Sequence, residues 1–126
     1  FNDTAVARLY GYDYDIIHSS KDLTNEIESM ITSAEIPYKR GIHWTTDAGY
    51  RETWGQVMDY RDKGALCVEM EGVGLFTIAN YRKCVATGIY VVSDVYSEND
   101  WKLGWEGNDI KRAVGAVIDM IIESIR

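Results

Sequence analysis

One stretch constrains the fold of this chain more than any other: residues 85–93 read VATGIYVVS, almost uninterrupted in apolar residues and rich in β-branched ones. Such a run predicts a strand buried on both faces, the kind found inside parallel sheets covered by helices. The partners of that strand stand just upstream. Residues 65–70 (ALCVEM) predict a short apolar strand, and Leu75, Phe76 and Ala79 predict one face of a helix ending near Lys83. Strand, helix and strand in this order make a βαβ unit, so the expected fold class is α/β. Its strands are parallel and its crossover right-handed, which brings both C-terminal strand ends to one edge of the sheet.

The remainder fits around that unit. From Asp22, the apolar positions Leu23, Ile27, Met30, Ile31 and Ala34 recur at helical spacing and stop before Pro37. YKRGIHWTT (38–46) predicts a strand, and the polar, aromatic residues 47–62 predict a segment ending in a short helix that Lys63-Gly64 terminates. The Tyr-rich first eighteen residues hold no period and predict loop with a short strand at most. Asn108 is the expected cap of a last helix, with Asp109 in its first turn and Ile110, Ala113, Val114, Val117 and Ile121 on its buried stripe. Without repeats or a linker, 126 residues amount to one domain at most.

Composition removes several classes. A chain that is 46% hydrophobic and 12% aromatic is not disordered. Thirteen Lys and Arg against twenty Asp and Glu give a net charge of -7, which opposes phosphate backbones and anionic membranes, so neither nucleic acid nor membrane is an expected partner. No apolar run approaches the ~18 residues of a membrane span, and no basic, apolar leader is expected at Phe1. Cys67 and Cys84 form no CxxC or Cys/His cluster; both are expected as small buried hydrophobes in a reducing cytoplasm. His18 and His43 lack metal-ligand spacing and are expected to be ordinary structural residues.

The acids are distributed with more purpose. The first predicted strand runs into Glu69-Met70-Glu71, whose i, i+2 spacing sets both carboxylates on one face of an extended backbone; the second runs into Ser93-Asp94. Ligands of open α/β sheets bind at that edge. Singly, each acid has a structural explanation, Asp94 as a turn cap and Glu71 through the dipole of the following helix. As a set, they predict a site. Carboxylates without His or Cys suit Mg²⁺, and equally suit sugar chemistry in which one acid protonates a leaving group while another holds hydroxyls.

VEMEGVGLFTIA (68–79) followed by VVSD (91–94) resembles the C-terminal half of the nucleoside phosphorylase and nucleosidase superfamily, the group of purine nucleoside phosphorylases, uridine phosphorylases and methylthioadenosine nucleosidases. TTDAGYRET (45–53) resembles its small-small-Asp segment, and the 22-residue step from Asp47 to Glu69 fits the family without a gap. The resemblance, which runs from about Asp22 to the C-terminus, implies a three-layer α/β/α nucleoside phosphorylase-like fold. Residues 1–126 would be the C-terminal part of a single domain whose N-terminal half, with its Gly-rich phosphate loop and arginines, is missing. It further implies an enzyme, a pentosyltransferase cleaving the N-glycosidic bond of purine nucleosides by phosphorolysis in the complete protein, the fragment alone being inactive. The same motifs serve a water-using nucleosidase, or a non-catalytic nucleoside-binding homologue. Nucleoside and phosphate are the implied partners, phosphate as co-substrate, with no metal or organic cofactor and a homo-oligomeric assembly.

Position by position, the resemblance implies that Glu71 holds the ribose 2′- and 3′-hydroxyls, Met70 packs under the sugar, and Glu69 lies near the 2′-hydroxyl. Asp94 matches the acid that hydrogen-bonds N7 of a purine, with Ser93 supporting it; members acting on uridine typically lack that acid, which favours purines. Where the family has a base-stacking Phe, this chain has Gly49, so Tyr50, Trp44 or Trp54 is expected to supply the ring. Trp101, Lys102 and Trp105 are expected to form a lid or to pack against the last helix.

Overall fold

In the computed structural model, which describes residues 1–97, 100–103 and 107–125, the chain is mixed α/β with a parallel sheet and five helices among the described residues, as expected from the sequence. It divides into two compact units, residues 1–24 with 39–88 and residues 25–38 with 89–126.

The first unit is built on β1 (Asn2–Asp3), β2 (Ile42–Thr46) and β3 (Ala65–Glu69), parallel and in that spatial order. Trp44, Thr45 and Thr46 are buried on the central strand, where both faces are covered and alternation disappears. Thr45 stands beside Asn2 on one side and Glu69 on the other, and the β2–β3 register shifts between Ile42 and Trp44. At Gly41 the chain approaches β3 so closely that a Cβ would run into the Leu66 side chain.

Around this sheet lie α1 (Val6–Leu9), a 3-10 turn (Gly49–Arg51), α3 (Trp54–Asp62) and α4 (Gly72–Arg82). A capping box starts α3: the Gln56 N–H donates to Thr53 Oγ1, and the Thr53 N–H returns to Gln56 Oε1. Gly64, at φ +95°, turns the chain out of α3, as its position after Lys63 predicts. Helix α4 buries Gly72, Val73, Phe76, Thr77 and Ala79, and Phe76 and Ala79 join Ala86 and Ile17 in a core cluster. Leu75, expected on that face, is exposed, because the buried stripe runs through residues 72–73, 76–77 and 79. Lys83 ends α4 in the left-handed region at φ +57°, with the Cys84 N–H donating to the Ala79 carbonyl at 2.9 Å.

Three expectations need correction here. Residues 85–93 are not a strand, and Val85 and Val92 are exposed. An apolar β-branched run favours extended backbone and burial, but a strand also needs a neighbour to pair with. Ala86 instead exchanges its backbone bonds with Ser20, accepting from the Ser20 N–H at 2.8 Å and donating to Ser20 Oγ at 2.9 Å. Cys84 is exposed at the turn after α4, and Cys67 only half-buried. Among the first eighteen residues, β1 is the short strand foreseen, whereas α1 is too short to carry a legible period.

Helix α2 (Lys21–Ser33) starts in the first unit and continues into the second, where Ile31 is buried. It stops with Glu35 in the left-handed region before Pro37. The second unit also holds β4 (Asp94–Ser97), antiparallel to β5 (Asp100–Leu103), and α5 (Asn108–Ser124). The cap of α5 is Gly107, one residue before the expected Asn108. Met120 is its buried residue, Ile110, Ala113, Val117 and Ile121 are partly buried, and Val114 is exposed. Among the described residues no helix is long and apolar enough to cross a membrane.

Candidate active site

The carboxyl end of β3 is a densely hydrogen-bonded polar point of the first unit. Strand pairing places Thr45 directly beside Glu69, and His43, two residues earlier on β2, shares that face. Glu69 Oε1 accepts from Thr45 Oγ1 and from His43 Nδ1, the latter at 2.8 Å. An ionised carboxylate only accepts, so the His43 proton sits on Nδ1. Glu69 Oε2 accepts from the backbone N–H groups of Glu71 at 2.7 Å and Gly72 at 2.6 Å, and Thr45 Oγ1 accepts from the Val73 N–H at 3.2 Å. Burial pushes the Glu69 pKa up, but the bonds from His43, Thr45, Gly72 and Glu71 outweigh it and hold the pKa at about 2.

These bonds explain why β3 stops where it does. Glu71 is the N-cap of α4, yet its side chain caps nothing; the N–H groups of Glu71, Gly72 and Val73 go to Glu69 and Thr45 instead. Capture of two successive amides by Glu69 bends the chain out of the strand. The expectation that Glu69 and Glu71 share one face of an extended segment is therefore not met. The Glu69 side chain is 8% exposed, whereas Glu71 is exposed, its Oε2 accepting from the Met70 N–H at 3.2 Å.

The turn after β2 reaches the same place. A Cβ built on Gly49 would lie 4.0 Å from Met70 Sδ and 3.3 Å from Glu52 Oε1, so residues 47–50 border the junction of β3 and α4. Tyr50 stands 93% exposed beside it. Trp44 is 2% exposed and stacks on Tyr60, with ring centres 4.3 Å apart and planes 15° off parallel. Met70 is 52% exposed. Next to the turn, Asp3, Thr46, Asp47, Ala48, Arg51 and Gln56 line a cavity of about 40 Å³ at the ends of β1 and β2, well below the several hundred Å³ of sites that enclose a small molecule.

Asp94 and Ser93 belong to the second unit. The expectation that Asp94 ends a parallel strand is corrected: it opens β4, opposite Leu103 in an antiparallel pair, and Ser93 Oγ donates to its Oδ2 at 2.7 Å. Of the segment expected to form a lid, Trp101 and Lys102 fall on the backbone of β5, and Trp105 lies outside the described residues.

Two residues at the β3 end escape a reading by residue type, His43 and Thr45. The signal that finds them is positional. In IHWTT the alternation puts His43 and Thr45 on one face, and parallel pairing with ALCVE brings that face to Glu69.

The phosphorylase superfamily profile matches residues 3–123. A purine nucleoside phosphorylase of the DeoD type from an Exiguobacterium strain is 33% identical over 87 residues, covering 69% of this chain and 36% of the relative. The enzyme of that type from Exiguobacterium sibiricum is also 33% identical over 87 residues, covering 37% of its length. The chain thus spans little more than a third of the curated relatives it matches. No solved structure matches it significantly.

Proposed function

The chain belongs to the phosphorylase superfamily, and from that premise we propose that the protein carrying it cleaves the N-glycosidic bond of purine nucleosides, with phosphate as the nucleophile. The observation that carries this reading is the end of β3: an exposed carboxylate, Glu71, stands on a helix start anchored by three hydrogen bonds to Glu69 and Thr45, with Met70 and the 47–50 turn alongside. The similarity to purine nucleoside phosphorylases supports it.

Each residue then has a task. Glu71 accepts the ribose 2′- and 3′-hydroxyls and holds the sugar so that phosphate meets C1′ in line with the departing base. Met70 lies under the sugar. Tyr50, exposed next to Gly49, supplies the stacking ring in preference to Trp44, whose face is already taken by Tyr60. Asp94, steadied by Ser93, meets N7 of the purine and neutralises the charge that builds there as the bond breaks with oxocarbenium character. Phosphate enters as co-substrate, no metal or organic cofactor takes part, and the protein works as a cytoplasmic homo-oligomer.

One experiment on the intact protein reads both acids, each against a substrate lacking the group it serves. Glu71→Ala loses on the order of a hundredfold or more in kcat/KM on inosine, and far less on 2′,3′-dideoxyinosine. Asp94→Ala loses about two to four orders of magnitude in kcat on inosine, while 7-methylinosine, already cationic at the purine, is cleaved almost normally. Equal losses on both members of either pair remove that residue from its role.

A further inference from the structure

We propose that Glu69, clamped by His43 and Thr45, is a positioning residue that fixes the first turn of α4 and thereby the place from which Glu71 presents its carboxylate. The proposal rests on the reading of Glu71 as the ribose ligand and deepens it, since it moves Glu69 from substrate contact to the support of its neighbour.

Saturation is the first reason. A carboxylate offers about four lone-pair sites, and Glu69 fills four: Oε1 with Thr45 and His43, Oε2 with the amides of Glu71 and Gly72. A ribose hydroxyl bonded to Glu69 would have to displace one of them. Its side chain is also covered while that of Glu71 is exposed.

Connectivity is the second. Thr45 and Glu69 together bind three consecutive amides, Glu71, Gly72 and Val73, so the backbone of Glu71 is tied to β2 as well as to β3. His43 adds a second tie to the same helix, for its ring meets Phe76 edge-on, with centres 5.9 Å apart and planes at 76°, while its Nδ1 holds Glu69. The carboxylate also sits at the positive end of the α4 dipole, which favours its ionised form there. A helix cap alone would need only Glu69 and Thr45. The His43 tie, reaching both the carboxylate and the body of α4, is what a device for holding Glu71 in one place requires.

The test combines amide exchange with a kinetic cycle on the intact protein. Glu69→Gln and Thr45→Val, the latter close in shape but without the hydroxyl, speed exchange at the Glu71, Gly72 and Val73 amides by roughly tenfold to a hundredfold, leaving α5 unchanged. Thr45→Ser, which keeps the hydroxyl, retains the protection. On inosine, Glu69→Gln and His43→Phe raise KM by about tenfold to a hundredfold, the usual cost of a misplaced binding group, with a smaller change on 2′,3′-dideoxyinosine. In a Glu71→Ala background the same changes alter kcat/KM by less than about twofold, because the partner they act through is gone. Full multiplicative losses in that background show that Glu69 touches substrate itself and overturn the proposal; so does unaltered exchange at residues 71–73. A wild-type protein that neither binds nor cleaves nucleosides overturns the ribose reading and the functional half of the proposal together, and the exchange measurement then decides the clamp by itself.

Discussion

Glu69 and Glu71 are two positions apart and chemically identical, yet the structure gives them opposite environments. Glu69 is closed in by four donors that hold its pKa at about 2, against an ordinary value of 4.5. A carboxylate whose folded pKa is depressed stabilises the native state above its unfolded value and loses that contribution as pH falls through the folded one. Wild type should therefore lose stability between about pH 4.5 and pH 2 more steeply than Glu69→Gln, with Glu69→Gln the weaker protein above pH 5 and the two converging near pH 2. Urea unfolding at stepped pH measures this, and parallel curves would mean that the four bonds contribute nothing net. At this scale the sequence marks Glu69 and Glu71 as candidates and does not say what each faces. VEME marks the place, but the split between a covered and an exposed carboxylate follows from where β3 ends, and that depends on amides which only the folded turn presents to Glu69. Residue type alone does not single out His43 for the same reason: its carboxylate partner lies 26 residues away across a strand pair.

Helices and strands differ in how much of them a sequence can state. Helices α2, α3, α4 and α5 appear close to where periodicity and their stop signals predict, because those signals are local. Residues 85–93 fail because strand formation depends on a neighbour, and the polar groups of Ala86 are taken up by Ser20. The consequence reaches the candidate site: Asp94, expected to end that strand, instead opens β4 in an antiparallel pair. Helix α3 offers a test of a local element with a distant effect, since its capping box follows directly on the turn that carries Gly49 and Tyr50. Thr53→Ala should cost about 1 kcal/mol in chemical denaturation, within the 0.5–2 kcal/mol range for a lost N-cap, and Thr53→Ser only a small part of it. An unchanged midpoint in Thr53→Ala would show that the box contributes nothing and that the turn is held by other contacts.

For the whole molecule, membership of the phosphorylase superfamily and the anchored start of α4 beside Glu71 are the two observations behind the proposed cleavage of an N-glycosidic bond. The chain is acidic, with a net charge of -7 and no surplus of basic residues to attract a phosphate backbone. A carboxylate set of this kind serves transfer to phosphate and transfer to water alike, so the identity of the nucleophile is the central claim most exposed to experiment. The direct measurement is product analysis after the intact protein meets inosine with and without inorganic phosphate. The account predicts hypoxanthine together with an equal amount of ribose 1-phosphate, formed only when phosphate is present. Hypoxanthine with free ribose at a rate indifferent to phosphate, or no base released from any purine nucleoside, would contradict it.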